Sequence, residues 1–345
     1  MKKILFYSAK SYEKEFFDLF NKNFGFELNY LETKLNKETS YLAKGYDGVC
    51  CFVHDILNKE VIKNFRDFGI DVVALRNAGY NNVDLKAAYE NRIHILRVPR
   101  YSPYSVAEHT IAMILSLNRK IHKAYVRTRE LNFEIDGLLG FDLYSKTAGV
   151  IGTGNIGKIV AKILKLGFDM QVLCYDSNPD YSWADNLKVK YVDLETIFVN
   201  SDIITLHCPL NKGTYHILSE DAFNKMKKGV MIINTSRGGL IDTKELIKNL
   251  KNGKVGFAGL DVYEEEDEYF FEDFSTKGLT DDILARLLTF PNVLVTSHQA
   301  FFTKEALENI AYTTLKNFQD YFQNNRLENE ICYFCGEIKN NCNKV

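Results

Sequence analysis

Ala148-Gly149-Val150-Ile151-Gly152-Thr153-Gly154-Asn155-Ile156-Gly157 is the stretch on which the reading of the fold turns. Four residues suited to a buried strand run directly into G-x-G-x-x-G. A helical pattern then begins inside the motif, with Ile156, Ile159, Val160, Ile163 and Leu164 on one face and Lys158, Lys162 and Lys165 outside. An isolated G-x-G-x-x-G carries little weight, but one lodged between a strand and a helix is a dinucleotide-binding fingerprint. Gly152 permits the tight turn, Gly154 lets the backbone approach a pyrophosphate, and Gly157 lets helix and strand pack closely. The helix N-terminus adds free N–H groups and partial positive charge. The spacing predicts that Gly167 ends this helix as a C′ glycine. The next strand finishes Leu173-Cys174-Tyr175-Asp176. Asp176 stands 19 residues after Gly157, where an acid can receive ribose hydroxyls. Ser177 and Asn178 follow, and no arginine that would welcome an extra phosphate, so the pattern favours NAD over NADP.

Working outward, short β-rich runs alternate with amphipathic ones. Lys3–Tyr7, Gly48–Phe52, Asp71–Leu75 and His94–Val98 read as strands, with Tyr12–Phe24 and Asn58–Phe68 as helices between them. Near residue 100 Ser102-Pro103 is a helix start, and one long helix is predicted from there to about Thr128. A second alternating run supplies Thr147–Ile151, Gln171–Tyr175, Lys188–Val192, Asp202–His207, Val230–Asn234, Val255–Val262 and Val293–Thr296, and a final helix covers Lys304–Phe322. This alternation predicts an α/β protein with parallel sheets.

The 345 residues suffice for two domains with their own cores. With 43 Lys and Arg against 45 Asp and Glu the net charge is −2, which argues against a dedicated nucleic-acid or membrane-surface binder. No apolar run approaches the roughly 18 residues of a membrane span. Cys50, Cys51, Cys174 and Cys208 lie in apolar runs and read as buried, reduced thiols of a cytoplasmic protein. Cys332, Cys335 and Cys342 fall in a polar tail that lacks a fourth ligand, so no metal is expected.

Three polar residues stand just past strand ends in the second run. They are Arg237 in Thr235-Ser236-Arg237-Gly238, Glu266 after Gly259-Leu260-Asp261-Val262-Tyr263, and His298 in Thr296-Ser297-His298-Gln299-Ala300-Phe301. Each has a bland reading alone. A lone His is usually structural, an acidic run is usually a solvated face, and an arginine can satisfy loop carbonyls. Ligands of open parallel sheets bind beyond the carboxyl ends of the strands, so the joint placement is what draws attention.

Taken with Leu75-Arg76-Asn77-Ala78-Gly79, Val98-Pro99-Arg100-Tyr101-Ser102-Pro103, Leu206-His207-Cys208-Pro209 and Leu260-Asp261-Val262-Tyr263-Glu264, the chain resembles the D-specific 2-hydroxyacid dehydrogenase family from residue 1 to about Ile331. The resemblance implies two doubly wound domains, a flavodoxin-like substrate domain and a Rossmann NAD-binding domain, with a cleft between them. The substrate domain would comprise residues 1–100 and 298–331, the NAD-binding domain residues 101–297, and the tail residues 332–345. It implies that His298 is the acid/base, Glu266 its carboxylate partner and Arg237 the substrate-binding arginine. Ala78 and Gly79 would hold the substrate carboxylate with Tyr101 nearby, and Phe52 and Phe301 would wall the side-chain pocket. For NAD it implies contacts at Gly152, Gly154, Asn155, Ile156, Gly157, Asp176, Cys208, Pro209, Thr235, Ser236, Arg237 and Asp261. Thr214 departs from the asparagine common in the family. The activity implied is reversible NADH-dependent reduction of pyruvate to D-lactate by a homo-oligomer, dimer or tetramer. A different or larger 2-oxo acid is the alternative, and a non-enzymatic NAD-sensing role, like that of some corepressors, is the remaining one.

Overall fold

The computed structural model describes residues 1–336 and residue 339. The chain divides into two compact units, Met1–Ser102 together with the chain from Phe302 onward, and Pro103–Phe301.

In the first unit five strands form a wholly parallel sheet: β1 (Lys3–Phe6), β2 (Glu27–Tyr30), β3 (Gly48–Cys51), β4 (Val72–Leu75) and β5 (His94–Arg97). Their order is β2-β1-β3-β4-β5, the flavodoxin-like arrangement. Alternate residues serve opposite faces, as the strand period of two requires. Leu5, Val49, Cys51, Val73, Leu75 and Ile95 join Val61, Ile62 and Phe65 of helix Lys59–Asp67 in one core cluster. On the other face a Cβ on Gly48 would lie 2.8 Å from the Phe318 ring of helix Lys304–Phe322, so only glycine lets that helix lie so close. β2 is absent from the strands expected above. Every residue of Glu-Leu-Asn-Tyr is half-buried, as befits an edge strand, so no apolar run announces it.

The second unit holds seven parallel strands: β6 (Thr147–Ile151), β7 (Gln171–Tyr175), β8 (Lys190–Tyr191), β9 (Ile203–Leu206), β10 (Val230–Asn234), β11 (Val255–Leu260) and β12 (Val293–Val295). Their order is β12-β11-β10-β9-β6-β7-β8, so the winding reverses between β6 and β9. A reversal of this kind opens a ligand-binding crevice at the strand ends. Helix Pro103–Arg119 buries Ile111, Met113, Ile114 and Leu117 in the core cluster that also takes Val160, Ala161 and Leu164 of helix Asn155–Phe168.

Two helix boundaries differ from expectation. The long helix after Pro103 breaks at Lys120, whose φ is +50°, and resumes as Ile121–Arg129, which buries nothing. The Lys120 ammonium donates to Leu139 O and sits over the Phe257 ring, which compensates for the left-handed backbone. Gly167 lies inside helix Asn155–Phe168 rather than beyond it, and Asp169 takes the left-handed C-cap at φ +50°. The expected polar tail also begins later than Cys332. Ile331 N–H donates to Ile95 O, and Cys332 is 1% exposed, so these residues cover the β5 edge. Cys335 is exposed, and Cys342 lies outside the described residues. Cys50, Cys51, Cys174 and Cys208 are buried free thiols.

Candidate active site

The Gly-rich turn after β6 is built on close backbone packing. Gly152 has φ +94°, and a Cβ there would lie 2.4 Å from Cys208 N. A Cβ on Gly157 would lie 1.9 Å from Gly152 O. Gly154 has nothing within 4 Å of the corresponding position, so the space beside the exposed Gly154 and Asn155 is open where a phosphate would approach. Ile156 is half-buried. The three glycines thus separate into two demanded by packing and one that leaves room for a ligand. Asp176 ends β7 beside this turn. Its carboxylate accepts Thr153 N–H at 2.6 Å, Thr153 Oγ1 at 3.1 Å and Asn178 N–H at 2.9 Å. An open helix N-terminus with a carboxylate fixed beside it fits the pyrophosphate and ribose of NAD.

Across the reversal point, Cys208 and Pro209 follow β9. Cys208 is 8% exposed, and burial pushes its thiol up to about 11, so it is inert at neutral pH. Cys208 O accepts Ser236 Oγ at 2.8 Å, and Pro209 O accepts Thr214 Oγ1 at 2.6 Å. Thr235 is buried, with its hydroxyl 2.9 Å from that of Thr110.

The three polar residues singled out above follow three adjacent strands. Arg237 follows β10, where Asn234 closes the turn by donating Nδ2 to Arg237 O and accepting Ser236 N–H. The half-buried guanidinium donates to Ser236 O at 2.7 Å. Glu266 follows β11 in a short turn, Glu266–Glu268, and is 9% exposed. One of its oxygens accepts Tyr263 N–H at 2.9 Å, and the other lies 2.7 Å from His298 Nδ1. A carboxylate only accepts, so Nδ1 carries the proton and Nε2 is left for chemistry. His298 follows β12 with φ +52°, a left-handed backbone that is uncommon outside glycine and recurs at functional sites. Glu266 and His298 are therefore brought into direct contact. Arg237 stands one strand away from Glu266 and two from His298, at the end of β10.

Asp261, expected among the NAD contacts, is fully buried and tied into the protein. Oδ1 accepts Thr296 Oγ1 at 2.6 Å and Gln299 N–H at 2.9 Å, and Oδ2 accepts Ala300 N–H at 2.9 Å. Its backbone carbonyl takes His298 N–H at 2.7 Å. Asp261 is thus the anchor of the loop that presents His298. The sequence reading missed this use, and it missed Phe271, whose ring lies 5.9 Å from the His298 ring and 6.5 Å from the Phe301 ring. The acidic run alone does not separate Glu266 from its neighbours. The Asp261 residue type and position could have suggested an anchor, whereas nothing around Phe271 would have drawn notice.

In the first unit Ala78 O accepts Arg97 at 2.9 Å and Gly79 O accepts Asn77 Nδ2 at 2.6 Å. Both carbonyls are held, and among the described residues neither N–H has a hydrogen-bond partner. Tyr101 O accepts Asn309 Nδ2 at 2.7 Å. Phe52 is 5% exposed beneath the Arg76 guanidinium, which lies 4.7 Å from the ring centre.

Comparison with known proteins bears on the fold and the cofactor. Residues 111–300 match the family model described as the D-isomer specific 2-hydroxyacid dehydrogenase, NAD binding domain. The chain is 50% identical over 94% of its length to 2-hydroxyacid dehydrogenase homolog 1 of Schizosaccharomyces pombe, covering 97% of that protein. It is 49% identical over 95% of its length to D-lactate dehydrogenase of Escherichia coli, covering 99% of that protein. A structure described as the pyruvate reductase of Chlamydomonas reinhardtii matches with a TM-score of 0.89 at 42% identity, over 95% of this chain and 98% of that one. The fold and site define an NAD-dependent oxidoreductase with a Rossmann domain. More particularly, the chain belongs to the D-isomer specific 2-hydroxyacid dehydrogenase family.

Proposed function

We propose that this enzyme reduces pyruvate to D-lactate and that His298 is its acid/base. The observation that carries the reading is the 2.7 Å contact between His298 Nδ1 and the buried Glu266 carboxylate, on the strand ends beside Arg237. The names borne by the E. coli and Chlamydomonas relatives support the substrate.

Arg237 binds the 2-oxo acid through its planar guanidinium and polarises the keto oxygen. NADH, when bound at the Gly-rich turn, supplies the hydride that reduces the keto carbon. Protonated His298 gives its Nε2 proton to the developing alkoxide, and Glu266, accepting Nδ1–H, stabilises the ring while it is charged and holds it as the Nδ1–H tautomer once it is neutral. In the reverse direction neutral Nε2 takes the hydroxyl proton. The free N–H groups of Ala78 and Gly79 are those the family pattern assigns to the substrate carboxylate. Phe52, Phe301 and Tyr101 keep the pocket roles the pattern gives them, and Cys208, Pro209, Thr235, Ser236 and Asp261 their cofactor-side roles.

The test is a panel of 2-oxo acids with NADH and chiral analysis of the product. Pyruvate should lead and yield the D-isomer, and a larger acid in first place would replace it as substrate. His298→Ala should lower pyruvate turnover roughly 10²–10⁴-fold. The enzyme is also proposed to be a cytoplasmic homo-oligomer. Ile121, Tyr125, Leu131, Phe133, Ile135 and Leu139 are 59% to 87% exposed within one short segment, more apolar surface than a lone subunit usually shows. Light scattering on the purified protein should give a dimer or tetramer, and Ile135→Asp should shift it towards monomer.

A further inference from the structure

We infer that His216 is a positioning residue that locks the loop carrying Glu266 to the loop carrying Arg237. The His216 N–H donates to Gly239 O at 2.9 Å, within the turn Gly238–Leu240 that directly follows Arg237. Its imidazole Nε2 lies 2.6 Å from Glu264 Oε1, two residues before Glu266. One residue therefore holds both loops, and it does so from a left-handed backbone at φ +51°.

The surroundings show that Glu264 is an anchored carboxylate and not a solvated one. Its other oxygen accepts Thr243 Oγ1 at 3.0 Å, and Tyr215 OH donates to Oε1 at 3.3 Å. The Tyr215 ring stacks on the imidazole with centroids 3.9 Å apart. Asp242 Oδ2 lies 3.7 Å from Nδ1, so two carboxylates face one ring, and Glu265 adds to the negative charge felt by Tyr215. The loops are also pressed together along their backbones. A Cβ on Gly238 would lie 2.1 Å from Tyr263 C and 2.4 Å from Glu264 N. Glu266 accepts the Tyr263 N–H three positions back along the chain, with Glu264 between them, so a displaced Glu264 carries Glu266 with it. His216 also lies eight residues after Cys208 in the segment that follows β9, so it ties residues expected to contact NAD to the loop carrying Glu266.

The inference rests on the reading of Glu266 and His298 as a working pair, but its principal readout needs no substrate. The His298 Nδ1–H proton that faces Glu266 is followed by NMR in the full-length enzyme, assigned with His298→Gln, in wild type, His216→Ala and His216→Gln. His216→Ala should move this resonance upfield or broaden it, because the Glu266 contact loosens. It should also lower kcat/KM for pyruvate by about 10- to 100-fold, the scale of a misplaced catalytic group. His216→Gln keeps a side-chain N–H for Glu264 and should restore most of both. If His216→Ala does not fold, Glu264→Ala breaks the same link from its other end and carries the test. A displaced resonance in an enzyme that ignores pyruvate sinks the substrate reading and leaves this inference standing. An unmoved resonance, with kcat/KM within twofold of wild type, overturns the inference while pyruvate reduction stands.

Discussion

Glu266→Gln isolates what the carboxylate does, because size and shape barely change. Glu266 accepts Tyr263 N–H through one oxygen and faces His298 Nδ1 through the other, in a site 9% exposed. An amide has one accepting oxygen and one donating NH2. If the oxygen stays on Tyr263, the NH2 faces Nδ1, and the ring must move its proton to Nε2 and become a neutral donor. If the oxygen stays on Nδ1, the NH2 opposes Tyr263 N–H and the turn loosens. Either way the hydrogen bond from the imidazolium to a charged partner is lost. Such bonds contribute about 1.5–3 kcal/mol. At about 1.4 kcal/mol per tenfold, kcat for pyruvate reduction should fall about 10- to 150-fold. The assay is stopped-flow NADH oxidation over pH 5 to 9, with NADH affinity measured separately by fluorescence. NADH affinity should stay within about twofold, because the Gly-rich turn follows β6 and Glu266 follows β11. Turnover within twofold of wild type across the range would refute the assignment of Glu266 as the partner that holds His298.

The two neighbouring glycines should respond differently. Gly157→Ala forces a Cβ to 1.9 Å from Gly152 O, so calorimetry should record a stability loss of about 1–3 kcal/mol along with weaker NADH binding. Gly154→Ala meets nothing within 4 Å and should leave thermal stability alone while weakening NADH, and equal effects of the two changes would contradict the reading of the turn. Asp176→Ala should relax the preference for NADH over NADPH in steady-state assays, and an unchanged ratio would remove it from the ribose. His207 is half-buried with Nε2 shut from solvent, and burial lowers its pKa from 6.5 to about 3. Between those values the unfolded chain binds a proton that the folded chain refuses, so stability falls as pH drops from about 6.5 towards 3, by at most about 1.4 kcal/mol per pH unit. Denaturant titrations of His207→Gln should show a shallower decline, and an identical slope would discount His207.

The parts of the fold legible in the sequence are those whose burial is written as a local run. Val230–Asn234 is buried throughout, and its five residues announce a central strand without help. Glu27–Tyr30 has the same geometry at an edge, where one side meets solvent, and its mixed residues conceal it. The break at Lys120 is hidden for the opposite reason, since helix-forming residues continue past it and its side-chain contacts, to Leu139 and Phe257, lie far along the chain. Gly167 shows that a glycine permits a helix end without imposing one, because the last turn is stopped by Asp169.

The site divides along the same physical line. The Gly-rich turn is a local device, in which Gly152 and Gly157 answer contacts made within the motif or with the adjoining loop and Gly154 leaves open space, so spacing alone exposes it. The pairing of Glu266 with His298 spans 32 residues and depends on β11 and β12 lying side by side. In the one-dimensional pattern Glu266 is one of three consecutive glutamates, and only a family resemblance picks it out. What chooses among the three is the direction in which the turn after Tyr263 points them. Glu264 is turned to His216 and Thr243, while Glu266 folds back on Tyr263 N–H and faces His298. Two identical carboxylates two residues apart thus acquire different uses, one tying loops and one serving an imidazole. Chemistry of residue type cannot separate them, because the distinction is made by hydrogen-bond donors that arrive from distant parts of the chain.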